Sequence, residues 1–321
     1  AAGARLAQPG EFTRRAFLNG KLDILQAEAI NTIIHSPSIK QARISFHQIE
    51  GSLSKKLHDL RLGIIRLLSQ IEAGIEFPDD EFKTSRKSIN KNLEKLTGQV
   101  SRLIASYNLG KIFLEGISLA VAGKTNVGKS TLFNTLLDKN RAIVTPHPGT
   151  TRDYLCEQFK IKDISISLID TAGFIKTPDP VEKEGIKRGK KIIDSVTGIL
   201  IVFDISQKAD AEDFLFLNQF SDKKKIIIFN KSDLPRSMLL KKIKDKAPHS
   251  PSIEVSALKK SNIDKLKDLI YTTFIPEYRE NEEIILHLRQ KLVLEEIEKA
   301  LSEGKQMLKD GYPDELYVEE I

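Results

Sequence analysis

The sequence predicts an α/β plus all-α protein, in which a doubly wound, mostly parallel sheet is inserted into a discontinuous helical bundle built from both ends of the chain. Three observations carry that prediction. Stripes of apolar residues at helical spacing fill the first third, short β-rich runs alternating with helical ones begin at Ile117, and helical texture returns after Pro276. The helical part is therefore expected over 21–115 and 276–321, with the α/β part over 116–275 and a lead-in segment over 1–20.

Taken in order, the first expected helix covers Leu22 to His35 and ends before Pro37, because proline cannot continue it. Leu53, Leu57, Leu60, Ile64, Leu67, Ile71 and Ile75 then fall three or four apart, which is one long helical stripe. Ile89, Leu93, Leu96, Val100 and Leu103 repeat the pattern, and Pro78 with Asp79 and Asp80 reads as the turn of a helical hairpin. The expected strands are Ile117 to Ala122, Tyr154 to Ile161, Ile164 to Ile169, Gly198 to Asp204, Lys225 to Phe229 and Ser252 to Val255. Beyond Pro276, Ile285, Leu288, Leu292, Ile297 and Leu301 come near helical spacing and are expected to pack back on the first helices.

Composition sets the bounds. At 321 residues, 40% hydrophobic and 29% charged, the chain can bury two cores. It contains no apolar run near the roughly 18 residues that span a bilayer and no leading charged-then-apolar signal, so the expectation is a cytoplasmic protein with no membrane partner. The single cysteine, Cys156, rules out an internal disulfide and any cysteine-built metal cluster. A net charge of +6 permits an RNA partner without demanding one, and the basic runs around Lys187–Lys191, Lys223–Lys225 and Lys241–Lys242 read as solvated faces and loop ends before they read as phosphate contacts.

Chemistry enters with Gly123–Ser130 (GKTNVGKS), which follows an apolar strand and matches G-x-x-x-x-G-K-[ST]. The glycines let backbone N–H groups of Asn126, Val127, Gly128, Lys129, Ser130 and Thr131 turn toward phosphates. Lys129 supplies a cation, Ser130 a hydroxyl for Mg²⁺, and the helix that begins there points its positive end at the anion. Asp170–Gly173 (DTAG) ends another strand, so Asp170 can act on Mg²⁺ through its water shell while Thr171, Ala172 and Gly173 approach the terminal phosphate. Asn230, Lys231 and Asp233 follow a third strand, and the Asp233 carboxylate can accept both N–H groups of guanine's Watson–Crick edge. Adenine would leave it unpaired. Ser256 and Ala257 are expected to close over the base.

These motifs, in this order, resemble the translation-factor-like GTPase superfamily from about Ile117 to Ile270. A narrower resemblance rests on Thr145–Asp153 (TPHPGTTRD) and Pro9–Asp23 (PGEFTRRAFLNGKLD), which look like the MnmE (TrmE) family of tRNA-modification GTPases. The resemblance implies a GTPase domain inserted into a helical domain and preceded by a folate-binding domain whose end would be residues 1–20. It also implies potassium-stimulated GTP hydrolysis with pairing of the GTPase domains into a homodimer. With an MnmG-type flavoprotein partner, the family adds a 5-carboxymethylaminomethyl or aminomethyl group to the tRNA wobble uridine.

Most of the family's folate-binding domain has no counterpart before Ala1, and its C-terminal Cys-Ile-Gly-Lys tail has none beyond Ile321, so a fragment is expected. Many small GTPases place a water-orienting glutamine after D-x-x-G, but Phe174 stands there. The resemblance assigns that role to Glu182, which otherwise reads as a solvated helix-start residue. It assigns K⁺ to Asn126, Thr145, His147 (through its carbonyl) and Thr150, although Asn126 alone is simply a loop residue. Thr151 would complete the Mg²⁺ shell, with Thr150 an adjacent alternative, and both, like Thr145, would lie against GTP. Lys21 matches a lysine associated with formyl-tetrahydrofolate, its bland alternative being a surface lysine. A ribosome-assembly GTPase acting as a nucleotide-dependent RNA-binding switch is the rival reading, since it would share every motif of the central domain.

Overall fold

The computed structural model describes residues 3, 5–36, 38–77, 85–137, 156–170, 195–208, 210–237, 240–278 and 282–313. Contacts divide the chain into two units, one formed by Ala1–Leu114 with Tyr278–Ile321 and the other by Glu115–Glu277.

In the first unit the helices are α1 (Glu11–Leu18), α2 (Ile24–Ile34), α3 (Ile39–Ile49), α4 (Ser52–Glu76), α5 (Arg86–Glu115, whose final residue falls in the other unit) and α10 (Leu288–Asp310). Local chemistry sets where they start. Asp23 caps α2 by accepting from Gln26 N–H at 2.8 Å while Gln26 Oε1 accepts from Asp23 N–H at 3.0 Å, and Ser38 caps α3. Helices α1 and α3 went unforeseen because their apolar side chains are largely outward: Phe12, Phe17, Ile39 and Phe46 are all exposed.

The bundle core joins Leu53, Leu60, Leu67 and Ile71 of α4, Ile89 to Leu103 of α5, and Leu294, Leu301 and Leu308 of α10. The expected return of the C-terminal segment onto the first helices is thus observed, but with a different phase. Leu288 and Leu292 are about half exposed, and the buried stripe runs at seven-residue intervals from Leu294. The reason is the segment before the helix. Residues 283–287 are not helical, and Ile284, Ile285 and Leu286 are all buried, so helical spacing cannot be counted through Ile285. Gln48 Nε2 donates to the Ile284 carbonyl at 2.7 Å, and Ser106 Oγ accepts from Ile285 N–H at 3.1 Å. A Cβ on Gly110 of α5 would lie 2.0 Å from the Ile285 carbonyl oxygen, so only glycine admits this strap so close to the helix.

The second unit holds a six-stranded sheet of β1 (Ile117–Ala122), β2 (Cys156–Ile161), β3 (Ile164–Asp170), β4 (Gly198–Asp204), β5 (Lys225–Asn230) and β6 (Ser252–Glu254), in the order β2-β3-β1-β4-β5-β6. Only β2 runs antiparallel to its neighbour. Every residue of β4 and β5 is buried, as expected of central strands covered on both faces, whereas β3 alternates. With them come α6 (Lys129–Leu137), α7 (Ala211–Gln219), α8 (Leu240–Lys246) and α9 (Ile263–Phe274). Among the described residues the strands begin and end within one residue of expectation, while the expected start of β2 at Tyr154 lies outside them. The turn at Pro78–Asp80 lies outside the described residues. Among those described, no helix is long and apolar enough to cross a membrane.

Candidate nucleotide-binding site

The site lies at the carboxyl ends of the parallel strands, where open α/β sheets bind ligands. Ladder register brings its parts level: Val121, two residues before the phosphate loop, pairs with Asp170, and Asp204 pairs with Asn230. Gly123 has φ 147° and a Cβ there would sit 2.4 Å from the Val202 carbonyl oxygen. Gly128 has φ 94° and its Cβ would sit 2.3 Å from Asn230 Nδ2. Both glycines are therefore required by backbone angle and by space. Asn126 also takes a left-handed conformation, φ 63°, and together with Ser130 and Thr131 is exposed. Val127 is buried beneath the loop.

Lys129 Nζ donates to the carbonyls of Gly123 at 2.8 Å and Lys124 at 2.5 Å. Its ammonium is thus held within the loop by neutral acceptors that a phosphate can outcompete, since bonds to an ionised acceptor are about twice as strong. Lys124 itself turns to the start of α7 and pairs with Asp210 and, at 3.0 Å, with Asp213. Burial works against its charge, yet the two carboxylates hold its pKa above the ordinary value.

The base side is organised by Asn230. Its Nδ2 donates to the Val127 carbonyl at 2.9 Å, and its Oδ1 accepts from Ala257 N–H at 3.0 Å, so one buried carboxamide ties the phosphate loop to the loop after β6. Thr135 Oγ1 of α6 donates to the Ala257 carbonyl at 3.0 Å from the other side. Ser256 Oγ donates to Asp233 Oδ1 at 2.5 Å and accepts from Lys259 N–H at 3.1 Å. That hydroxyl keeps the exposed Asp233 carboxyl below its ordinary pKa and hence ionised for two N–H donors. Lys231, at φ 62°, donates to Asp204 Oδ2 at 2.6 Å. Burial raises the Asp204 pKa, but Lys231 and Ser206 outweigh it and the net direction is downward.

The structure thus brings together Asn126, Val127, Gly128, Lys129, Ser130, Thr131, Asp170, Asn230, Lys231, Asp233, Ser256 and Ala257. Thr145, His147, Thr150, Thr151, Thr171, Ala172, Gly173, Phe174 and Glu182 lie outside the described residues. Lys21 belongs to the other unit, exposed in the turn after α1 with its N–H bonded to the Ala16 carbonyl at 2.9 Å. Sequence reasoning missed Lys124, Thr135, Asp204, Asp210 and Asp213. Lys124 occupies a variable position of the loop pattern, and the acidic start of α7, Asp210 with Glu212 and Asp213, offered the one available signal. Ser130 and Asp170 are hard oxygen donors on neighbouring elements, a set that suits Mg²⁺.

A family model described as the MnmE helical domain matches residues 24–321. The tRNA modification GTPase MnmE of Levilactobacillus brevis is 36% identical over 98% of this chain and 69% of its own length. That of Geobacter sulfurreducens is 41% identical over 86% of this chain and 60% of its own, and that of Aquifex aeolicus 37% identical over 96% and 68%. Among solved structures, an Aquifex aeolicus Era variant bound to GDP·AlF4⁻ shares 29% identity over 57% of this chain and 66% of its own, with a TM-score of 0.41.

Proposed function

The chain belongs to the MnmE family of tRNA-modification GTPases, and on that premise we propose that it hydrolyses GTP under potassium control in the cytoplasm as part of wobble-uridine modification. The observation that carries the nucleotide half is the Asn230 bridge. It ties the phosphate loop and the Ser256–Asp233 pair into one frame through protein hydrogen bonds alone, which lowers the cost of ordering them around a nucleotide. In this reading Asp233 takes guanine's two N–H groups, the N–H groups opening α6 take the phosphates, and Lys129 exchanges two carbonyls for phosphate oxygens.

Water then attacks the γ-phosphorus as the bond to the β–γ bridging oxygen breaks, yielding GDP and phosphate. Glu182 orients that water through a second one, since Phe174 can neither donate nor accept the required hydrogen bond. Ser130 and Thr151 would hold Mg²⁺ with Asp170 behind them, and Asn126, Thr145, His147 and Thr150 would hold K⁺. When bound, the two cations offset charge that builds between the outer phosphates. Both ligand sets consist of oxygen donors, as hard cations require.

The partners in this proposal are GTP and GDP, a second copy of the chain, an MnmG-type flavoprotein and tRNA, with formyl-tetrahydrofolate reaching the family's folate-binding domain and Lys21. Multiple-turnover phosphate release in KCl against NaCl tests the hydrolytic core. Faster turnover in KCl is expected, with Glu182→Ala lowering kcat by about a hundredfold or more at unchanged GDP affinity. Equal rates in both salts would remove potassium from the mechanism, and an unaffected Glu182→Ala would remove the carboxylate.

A further inference from the structure

We infer that the cleft between α4 and α5 is a contact site for the phosphodiester backbone of RNA, an inference that rests on the tRNA reading above. The cleft has a volume of about 320 Å³. Lys56 and Arg66 of α4 and Lys95 of α5 line it, all exposed and none ion-paired or hydrogen-bonded among the described residues. Other cations of this unit do find carboxylates: Arg289 pairs with Glu28 and Lys291 with Glu295. Glu94, adjacent to Lys95 in sequence, is taken by Lys305 at 3.1 Å and so is engaged elsewhere.

The two helix segments that form the cleft are basic as a whole. Residues 55–70 and 86–99 hold eight Lys and Arg against two Asp and Glu, a formal +6, equal to the net charge of the whole chain. A polyanion bound along this face would release condensed counterions, the main source of affinity between proteins and nucleic acid.

Geometry selects a polymer over a small anion. Lys56 and Arg66 are ten residues apart on one helix, about 15 Å along its axis, too far to grip one phosphate group. They would meet separate phosphates, more than one nucleotide apart, along one strand. Gln70 and Gln99 lie along the same cleft and can bond to sugar and phosphate oxygens, including the 2′-hydroxyl that marks RNA. Asp59, also in the lining, is the one carboxylate there among the described residues and leaves the three cations in excess.

The test is anisotropy of fluorescent tRNA with the full chain from 50 to 200 mM KCl, comparing wild type with Lys56→Gln/Arg66→Gln/Lys95→Gln, at about those salt limits. The triple variant should bind tRNA about tenfold more weakly or worse, with the salt slope shallower by about 2–3, while GTP turnover and GDP affinity stay as in wild type. Lys56→Arg/Lys95→Arg should bind like wild type, so its loss of binding would overturn the charge argument. Wild-type affinity and slope in the triple variant would overturn the cleft alone. A wild-type chain that turns over GTP but binds no tRNA would overturn the tRNA reading and the cleft with it. Retained tRNA binding with lost binding to polyglutamate would replace RNA by an acidic protein face.

Discussion

Replacing Asn230 by alanine removes one carboxamide and leaves two buried groups without partners: the Val127 carbonyl, 2.9 Å from Nδ2, and Ala257 N–H, 3.0 Å from Oδ1. Asn230 is 2% exposed, so water cannot enter without opening the site. An unsatisfied buried polar group costs about 1–3 kcal/mol, and two give about 2–6 kcal/mol. Part of this falls on folding of the sheet unit. The rest appears as loosened loops that nucleotide must re-order, so about 2–4 kcal/mol should be lost from binding, a rise of about 30- to 1000-fold in the GDP dissociation constant. Titration calorimetry with GDP measures the second share and urea unfolding the first. Asn230→Asp keeps an acceptor for Ala257 N–H but turns a carboxylate toward the Val127 carbonyl, and should bind no better than the alanine variant. A GDP affinity within about threefold of wild type at unchanged stability would refute the idea that this side chain couples the two loops.

Gly128→Ala puts a Cβ 2.3 Å from Asn230 Nδ2 at a φ of 94°, so GDP binding should fall by about a hundredfold or more while circular dichroism stays near wild type. Gly110→Ala drives a methyl to 2.0 Å from a backbone oxygen of the strap and should destabilise the helical unit by about 2 kcal/mol or more, seen as a lower urea midpoint. For Asp204 the folded pKa lies below the ordinary 3.8, so its pairing with Lys231 contributes fully above that value and fades as pH falls through the lower folded value. Unfolding of wild type should therefore lose stability on the acid side, and Asp204→Asn should be weaker at pH 7 with a shallower acid limb. Parallel acid limbs in the two proteins would show that Asp204 is not a source of that dependence.

Local pattern alone specified six strands, the long hairpin helices and the phosphate loop, because each depends on residues a few positions apart. A buried strand needs an unbroken apolar run such as Ile199–Phe203, and a phosphate loop needs glycines where no Cβ fits. Asn230, Asp233 and Ser256 were legible for the same reason, standing just past strand ends. Their division of labour was not. Asn230 reaches Val127 across 103 positions, Lys124 reaches Asp210 across 86, and Lys231 finds Asp204 only because β4 and β5 lie side by side. The outward faces of α1 and α3 and the altered phase of α10 were equally hidden, since burial depends on what a helix packs against and where it starts. Sequence by itself determined which chemistry this protein can perform. Tertiary structure decided which side chains hold that chemistry in place, because the free energy of those hydrogen bonds exists only once distant segments have been brought together.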